Sequence, residues 1–369
     1  MKNFQKRPLK IAQIAPLVER IPPKKYGGTE RVIHTLIEEL VKKGHEVTLF
    51  ATGDSITSAK LVSVYSKSLR EAKIKEIYGG NIWVVLNIGI AYQHQNEFDI
   101  IHDHNFYPSL VGASLVRTPV VMTLHGALAS ENKHLAKAFN KINFVTISHA
   151  QSASVPNLNY VGNVYNGLNM ENYPFSKKHD NYLLFVGRIS REKGVDYAIE
   201  AAQYLGLPLI IAAKLETANV HDVQYFHEYV EPHLSEQITW IGEVDEKKRN
   251  ELMSKAMCLL YPVTWREPFG LVLIEAMACG CPIVAFNKGS IPEVILDGKT
   301  GFIVEDVEEM ARSIENIYKI NRLECRKHAL KNFNAERMVA GYEEIYYNLL
   351  RKEQFKYDKN YSGIGSYGI

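Results

Sequence analysis

The sequence is sparing with cysteine, nearly balanced in charge, and without a long apolar run. Four cysteines in 369 residues are too few for a disulfide scaffold. Cys279 and Cys281 are one residue apart, and Cys258 and Cys325 stand alone. Paired CxxC units for zinc are therefore missing, and free thiols in a reducing compartment are expected. No stretch of about 18 uncharged apolar residues offers a membrane-spanning helix. Met1–Pro8 carries no apolar core of the signal-peptide kind. A cytoplasmic location follows as the expectation, with at most peripheral membrane contact through Lys2, Lys6, Arg7 and Lys10. A net charge of only +2 gives no reason to expect a nucleic-acid partner.

Hydrophobic residues make up 46% of the chain and charged residues 23%, the balance of a globular protein with a sizeable core. The length suggests two domains. The small net charge divides unevenly. Residues 1–170 hold 19 Lys and Arg against 12 Asp and Glu, and the remainder holds 24 against 29. Two lobes of opposite sign suggest different partners, and a basic first lobe would favour an anionic or membrane-associated ligand. Ordinary solvated faces give the same numbers.

Short β-branched runs alternate with helical patterns throughout. In the first half strands are expected at Lys10–Ala15, Glu46–Ala51, Asp99–Asp103, Pro119–Leu124, Asn143–Ile147 and Val161–Tyr165. A helix is expected over Thr29–Lys43, where Val32, Ile33, Leu36, Ile37, Leu40 and Val41 repeat at helical spacing before Gly44. A second series covers Tyr182–Val186, Pro208–Ala213, Gln237–Ile241, Ala256–Tyr261, Pro282–Phe286 and Gly301–Val304. Helices are read between them, including Val195–Tyr204, Asp245–Lys255 and Leu271–Ala278. Continuous apolar strands separated by helices mean parallel sheets covered on both faces. The fold class is therefore α/β, with two doubly wound Rossmann-like domains facing a cleft. The domains expected are residues 1–168 and 169–335. A hinge falls near Gly167–His179, residues 336–356 form a closing helix that packs back on the first domain, and 357–369 form a flexible tail.

The tail contains Gly363-Ile-Gly365-Ser-Tyr-Gly368, a literal GxGxxG. That fingerprint works only between a strand and a helix, so it is rejected here. Tyr26-Gly27-Gly28-Thr29-Glu30 follows a strand and a long loop and opens a helix. Its glycines let a phosphate or sugar approach the backbone, and helix N-terminal amides favour anions; a plain turn capped by Thr29 is the alternative. Arg188 and Lys193 lie at the matching point of the second half, a fork and a point charge suited to a diphosphate or simply to solvent. No Asp-x-Asp pair occurs in the chain, so no metal is expected in this clamp.

The most informative stretch is Trp265-Arg266-Glu267-Pro268-Phe269-Gly270-Leu271, followed by an apolar helix that carries Glu275. A carboxylate among Leu, Val, Ile, Ala and Met needs partners. Ribose hydroxyls supply them, and so does a buried ion pair. Glu267, outside the helix, is placed for sugar hydroxyls beside the amides of Phe269, Gly270 and Leu271, or for helix capping.

The Glu267-x7-Glu275 motif, with Arg188, Lys193, Gly27 and Gly28, resembles the retaining GT-B glycosyltransferases of family 4. Val164-Tyr-Asn-Gly-Leu168, Gly289-Ser-Ile-Pro-Glu293 and Gly298-Lys-Thr-Gly301 agree, and the resemblance spans roughly residues 9–350. It implies that Glu275 holds the donor ribose and Glu267 the donor sugar, while Arg188 and Lys193 bind the diphosphate beside Gly28. Backbone near Gly242–Val244 would face the base. His125, at a strand end, matches the family's histidine beside the transferred sugar; a structural histidine is the plainer reading. Ser290 departs from the family's second glycine in the Gly-Gly-x-Pro-Glu loop. His102-Asp103-His104 lacks a third metal ligand, so His102 and Asp103 are assigned to the acceptor side.

The expected partners are a nucleotide diphosphate sugar, UDP- or GDP-linked, and a hydroxyl-bearing sugar, lipid-linked or small-molecule acceptor. No cofactor is expected, because the nucleotide sugar is a substrate. A same-fold phosphorylase or epimerase, or a silent nucleotide-sugar binding protein, are the alternatives.

Overall fold

The structure, a computed structural model, describes residues 7–362 apart from 73, 75–78 and 129. The glycine-rich sequence 363–368 and the lysines at 2 and 6 lie outside the described residues.

Two parallel sheets form. The first contains β1 (Lys10–Ile14), β2 (Glu46–Phe50), β3 (Lys60–Val62), β4 (Ile100–Asp103), β5 (Val120–Leu124), β6 (Asn143–Thr146) and β7 (Tyr160–Asn163). Its order is β3-β2-β1-β4-β5-β6-β7. The second contains β8 (Leu183–Arg188), β9 (Leu209–Lys214), β10 (Ile238–Trp240), β11 (Cys258–Tyr261), β12 (Ile283–Phe286) and β13 (Gly301–Val304), in the order β10-β9-β8-β11-β12-β13. Both faces of the central strands are sealed: Ile11, Ala12, Gln13 and Ile14 of β1 are all 0% exposed. The order reverses between β1 and β4 in one sheet and between β8 and β11 in the other. Ligands of doubly wound sheets sit beyond the C-terminal ends of the strands at such reversals. The segments after β1, β5, β8 and β11 supply much of the lining of the cleft between the two sheets.

The three-residue β3 went unread in the sequence, since an edge strand that short carries no period. The last helix differs from expectation as well. It runs Ala335–Ser362 without interruption, past the expected end at residue 356. Residues 357–362 contain neither Gly nor Pro, and the first breaker is Gly363. The chain enters this helix through Ala335 N to Leu168 O and Leu168 N to Phe333 O hydrogen bonds, both 3.1 Å. Met338, Val339, Tyr342, Ile345 and Tyr346 then join the core of the first domain with Val32, Ile33, Leu36 and Ile37 of helix Gly28–Lys42. Thus the C-terminal segment is a structural part of the N-terminal lobe. All four cysteines are buried free thiols. Among the described residues no helix is long and apolar enough to cross a membrane.

Candidate active site

The long loop after β1 ends at Gly27, which has φ +150°; a methyl group there would sit 2.7 Å from Pro23 Cβ. Helix Gly28–Lys42 begins immediately, and no side chain caps it. Thr29 thus makes no cap, and the N-cap position belongs to Gly27. In the second domain Gly270, at φ +78°, starts helix Leu271–Ala278, again without a side-chain cap. The two helix starts face each other: a methyl group on Gly28 would lie 3.7 Å from Leu271 Cδ2. Two sets of N-terminal amides, one from each domain, therefore open on the same space, an arrangement that attracts negative charge.

That space is a cleft of about 400 Å³ between the domains. Gly27, Gly28, His125, Arg188, Lys193, Val244, Glu267, Phe269, Gly270, Leu271 and Glu275 all line it. Arg188 stands at the end of β8, ion-paired with Glu192 and 3.9 Å from Asp222 Oδ2. Lys193 lies in the short turn Arg191–Lys193, closed by Gly194 at φ +68°. A side chain on Gly194 would collide with the Pro262 carbonyl, so only glycine lets this turn pack beside the end of β11.

Glu267 collects three donors on one oxygen. Its Oε2 accepts from Lys193 Nζ at 2.7 Å, Tyr261 OH at 2.7 Å and Trp265 Nε1 at 3.0 Å. Lys193 Nζ also lies 5.0 Å from the Trp265 ring centroid, a cation–π contact. The backbone of Glu267 is fixed by Ser290 N, which donates to its carbonyl at 3.0 Å. Gly289 packs so closely beneath it that any side chain there would collide with the Glu267 backbone. Ser290, the departure from the family loop, is buried, and its Oγ finds no partner among the described residues. The Glu267 Oε1 atom has no protein hydrogen bond among the described residues.

Glu275 is 1% exposed. Its Oε1 accepts from Arg249 Nη2 at 2.8 Å and from Arg31 Nη1 of the opposite domain. The buried ion pair is therefore present, as an interdomain triad, and Oε2 has no protein hydrogen bond among the described residues.

His125 follows β5. Its Nε2 is 2.8 Å from Nδ1 of His104. Burial lowers its pKa to about 4, so the ring is neutral at pH 7.

Three assignments from the sequence do not reach the cleft. Gly242, at φ +74°, is not among the lining residues, although Val244 is. His102 and Asp103 are both 0% exposed and are corrected here: neither is available to an acceptor. They belong to β4, flanked by β1 and β5 and covered on both faces. His102 lies 2.6 Å from Tyr346 OH and 2.7 Å from Thr123 Oγ1. Asp103 accepts from Tyr92 OH and from the Asn105 amide, both at 2.8 Å. Among the described residues no group of three or more His, Cys, Asp or Glu side chains is placed to hold a metal.

The excess positive charge of the first half is not displayed in the cleft. That domain lends it Glu19, Glu30, Arg31 and Arg70, a balanced set. Arg31 is engaged by Glu275, and Arg70 by Glu19 and Glu216. Sequence reasoning missed Arg31, Arg249 and Tyr261 as partners of the two glutamates. Arg249 sits in Glu246–Lys255, a helix so rich in charge that nothing marks it. Arg31, directly after Glu30 in the glycine loop's own helix, was open to suspicion.

Residues 26–156 match the family model described as Glycosyltransferase Family 4, and residues 170–334 match that described as Glycosyl transferases group 1. The chain is 26% identical over 373 residues to N-acetyl-alpha-D-glucosaminyl L-malate synthase of Bacillus anthracis, covering 89% of this chain and 96% of that protein. The fold is that of sucrose-phosphate synthase from Thermosynechococcus elongatus, with a TM-score of 0.79 at 19% identity over 94% of this chain and 100% of the other. It is also that of Anabaena Alr3699/HepE in complex with UDP and glucose, with a TM-score of 0.71 at 19% identity over 91% and 98% of the two chains.

Proposed function

From the premise that this chain belongs to the group 1, family 4-like glycosyltransferases, we propose that it moves a hexosyl group from a UDP- or GDP-linked sugar to an acceptor hydroxyl with retention of anomeric configuration. The observation that carries this reading is Lys193 paired with Glu267 beneath two opposed helix N-termini. The cations and amides supply what a leaving diphosphate needs, and the carboxylate beside them supplies what sugar hydroxyls need. One solved protein of the same fold, Anabaena Alr3699/HepE, was captured with UDP and glucose and with UDP-glucose, in keeping with a nucleotide-sugar donor.

The charge developing on the diphosphate falls where Arg188, Lys193 and the amides after Gly27 and Gly270 converge. As the bond from C1 to the phosphate oxygen breaks, the acceptor oxygen bonds to C1 from the same face, and its proton passes to the departing phosphate. Glu267 is poorly suited to be a nucleophile of the retaining-glycosidase kind. Its Oε2 is saturated by three donors, and the carboxylate is better matched to accepting sugar hydroxyls through Oε1. The neutral ring of His125 lines the same cleft without adding a positive charge beside an oxocarbenium-like centre.

The test is donor consumption and sugar transfer by wild type, Glu267→Ala and Arg188→Ala. Each variant is expected to lose about a hundredfold or more in kcat. Unimpaired transfer in both overturns the site assignment.

A further inference from the structure

We propose that His104, held by Gln13 and Tyr346, is a positioning residue that fixes the tautomer of His125, so that His125 turns an unprotonated Nδ1 to the transferred sugar. The proposal rests on the cleft being the site of sugar transfer.

Four side chains from four separate elements form an unbroken row. Tyr346 comes from helix Ala335–Ser362, Gln13 from β1, His104 from the turn after β4, and His125 from the turn after β5. Gln13 Nε2 lies 3.4 Å from Tyr346 OH, and Gln13 Oε1 lies 2.8 Å from His104 Nε2. His104 Nδ1 lies 2.8 Å from His125 Nε2. Gln13 and Tyr346 are 0% exposed and His104 5%, so no water exchanges for a missing partner at low cost.

The direction of every proton follows from one neutral proton per ring. Gln13 presents its carbonyl oxygen to His104, so His104 carries its hydrogen on Nε2. A neutral imidazole then has a bare Nδ1, which must accept from Nε2–H of His125. The single hydrogen of His125 is thereby placed on Nε2, and Nδ1 is left as a lone pair. Nδ1 has no protein partner among the described residues, and the ring lines the cleft. Burial keeps the pKa values of both His102 and His104 well below the ordinary histidine value, consistent with neutral rings throughout.

A branch of the row agrees. Tyr346 OH accepts from Gln13 and donates to His102 Nδ1 at 2.6 Å. His102 Nε2–H then donates to Thr123 Oγ1 at 2.7 Å, and Thr123 donates to Tyr342 OH at 3.0 Å. Tyr346, His102 and Thr123 thus each give and receive once, with none left in conflict. Among the described residues Asp103 turns to Tyr92 and Asn105, and Glu343, which acts electrostatically on Tyr346, is paired with Lys43 and His45. The chemical consequence lies at the sugar. A bare Nδ1 accepts a hydrogen bond from a donor-sugar hydroxyl, and its lone pair faces the electron-poor anomeric region, where an N–H would be repelled. His104, in the turn after β4, and Gln13 of β1 thus act on the reaction through another residue.

The experiment is a long-range proton–nitrogen correlation spectrum of protein labelled with ¹⁵N-histidine. It is recorded without substrate, and the His125 signals are assigned by their loss in His125→Asn. A pyrrole-type Nε2 with a pyridine-type Nδ1 is the expected result. The opposite tautomer, or a protonated ring near pH 7, overturns the proposal, and the wild-type spectrum alone decides that. His104→Phe is expected to release His125 into a mixture of tautomers and to lower kcat/KM for donor turnover about tenfold, the worth of one lost hydrogen bond. If that variant does not fold, Gln13→Leu carries the same expectation. An unchanged His125 tautomer in a folded variant also overturns it. Because the spectrum needs no turnover, an inactive wild type would sink the transferase reading and leave the tautomer result standing, and the reverse also holds.

Discussion

Lys193 and Glu267 stand 2.7 Å apart, Nζ to Oε2, on the floor of the interdomain cleft. Their side chains are only 14% and 8% exposed, so the pair is shielded from the screening that makes surface ion pairs weak. A cation suited to a diphosphate and a carboxylate suited to a sugar are therefore held together by the protein's own contacts. If they act as a unit, Lys193→Ala and Glu267→Ala should each cost roughly 10² to 10³ in kcat, and the double variant should be little worse than either. Initial rates of donor consumption measure this. Losses that simply multiply would show two independent residues.

Glu275 predicts a stability effect across the domain boundary. Its removal leaves Arg31 and Arg249 buried without their shared carboxylate, and both Nε atoms already lack partners among the described residues. Glu275→Ala is expected to cost about 3–5 kcal/mol. Arg31→Ala should cost less, because Arg249 remains with the carboxylate. Denaturant unfolding of the three proteins tests the ranking; a Glu275→Ala protein within about 1 kcal/mol of wild type would refute a stabilising triad.

The two adjacent glycines should separate folding from binding. Gly27→Ala places a methyl 2.7 Å from Pro23 Cβ at φ +150°, and a loss of about 2 kcal/mol or more is expected. Gly28→Ala meets nothing nearer than Leu271 Cδ2 at 3.7 Å, so stability should change by less than about 1 kcal/mol. The added methyl still narrows the gap between the helix N-termini, and nucleotide affinity should fall. Melting temperature and UDP titration on the same samples read both effects.

Two buried groups should tilt stability with pH in opposite directions. Burial raises Glu30 from 4.5 to about 7. The native state then holds that proton more firmly than the unfolded chain, so its contribution is full below pH 4.5 and is lost as pH rises through about 7. Burial lowers His125 from 6.5 to about 4, so its contribution is present above pH 6.5 and is lost as pH falls through about 4. Relative to wild type, Glu30→Gln should gain stability as pH rises from 4.5 to 7 and then level off. His125→Asn should gain as pH falls from 6.5 to 4. Chemical denaturation across this range checks both signs.

The alternation of apolar strands and helices carried the architecture into view from the sequence, because a parallel sheet sealed on both faces leaves little freedom in composition. That Glu267, Glu275, Arg188 and Lys193 are unusual was legible, because charge beside glycine, proline and an apolar helix is conspicuous; the roles given to them rest on the family resemblance. Partnership was not legible. Nothing in the spacing ties Arg31 to Glu275, which are 244 residues apart and meet only when the domains face each other. His102 and Asp103 misled for the complementary reason: polar residues at a strand end resemble a site. Here Tyr346 and Tyr92 supply hydroxyls that satisfy them inside the core. Ser362 ended the last helix later than expected, since a polar segment without Gly or Pro can still continue a helix.

The central claim is that this cleft binds a nucleotide diphosphate sugar through Arg188 and Lys193, and the most direct test is ligand-dependent thermal unfolding. Wild type is heated with UDP, GDP and their hexose conjugates, beside the Arg188→Ala/Lys193→Ala variant. At a hundredfold excess over Kd, a bound nucleotide should stabilise wild type by about 2.7 kcal/mol, with most of that shift lost in the variant. No shift with any nucleotide, or an equal shift in the variant, would contradict the account.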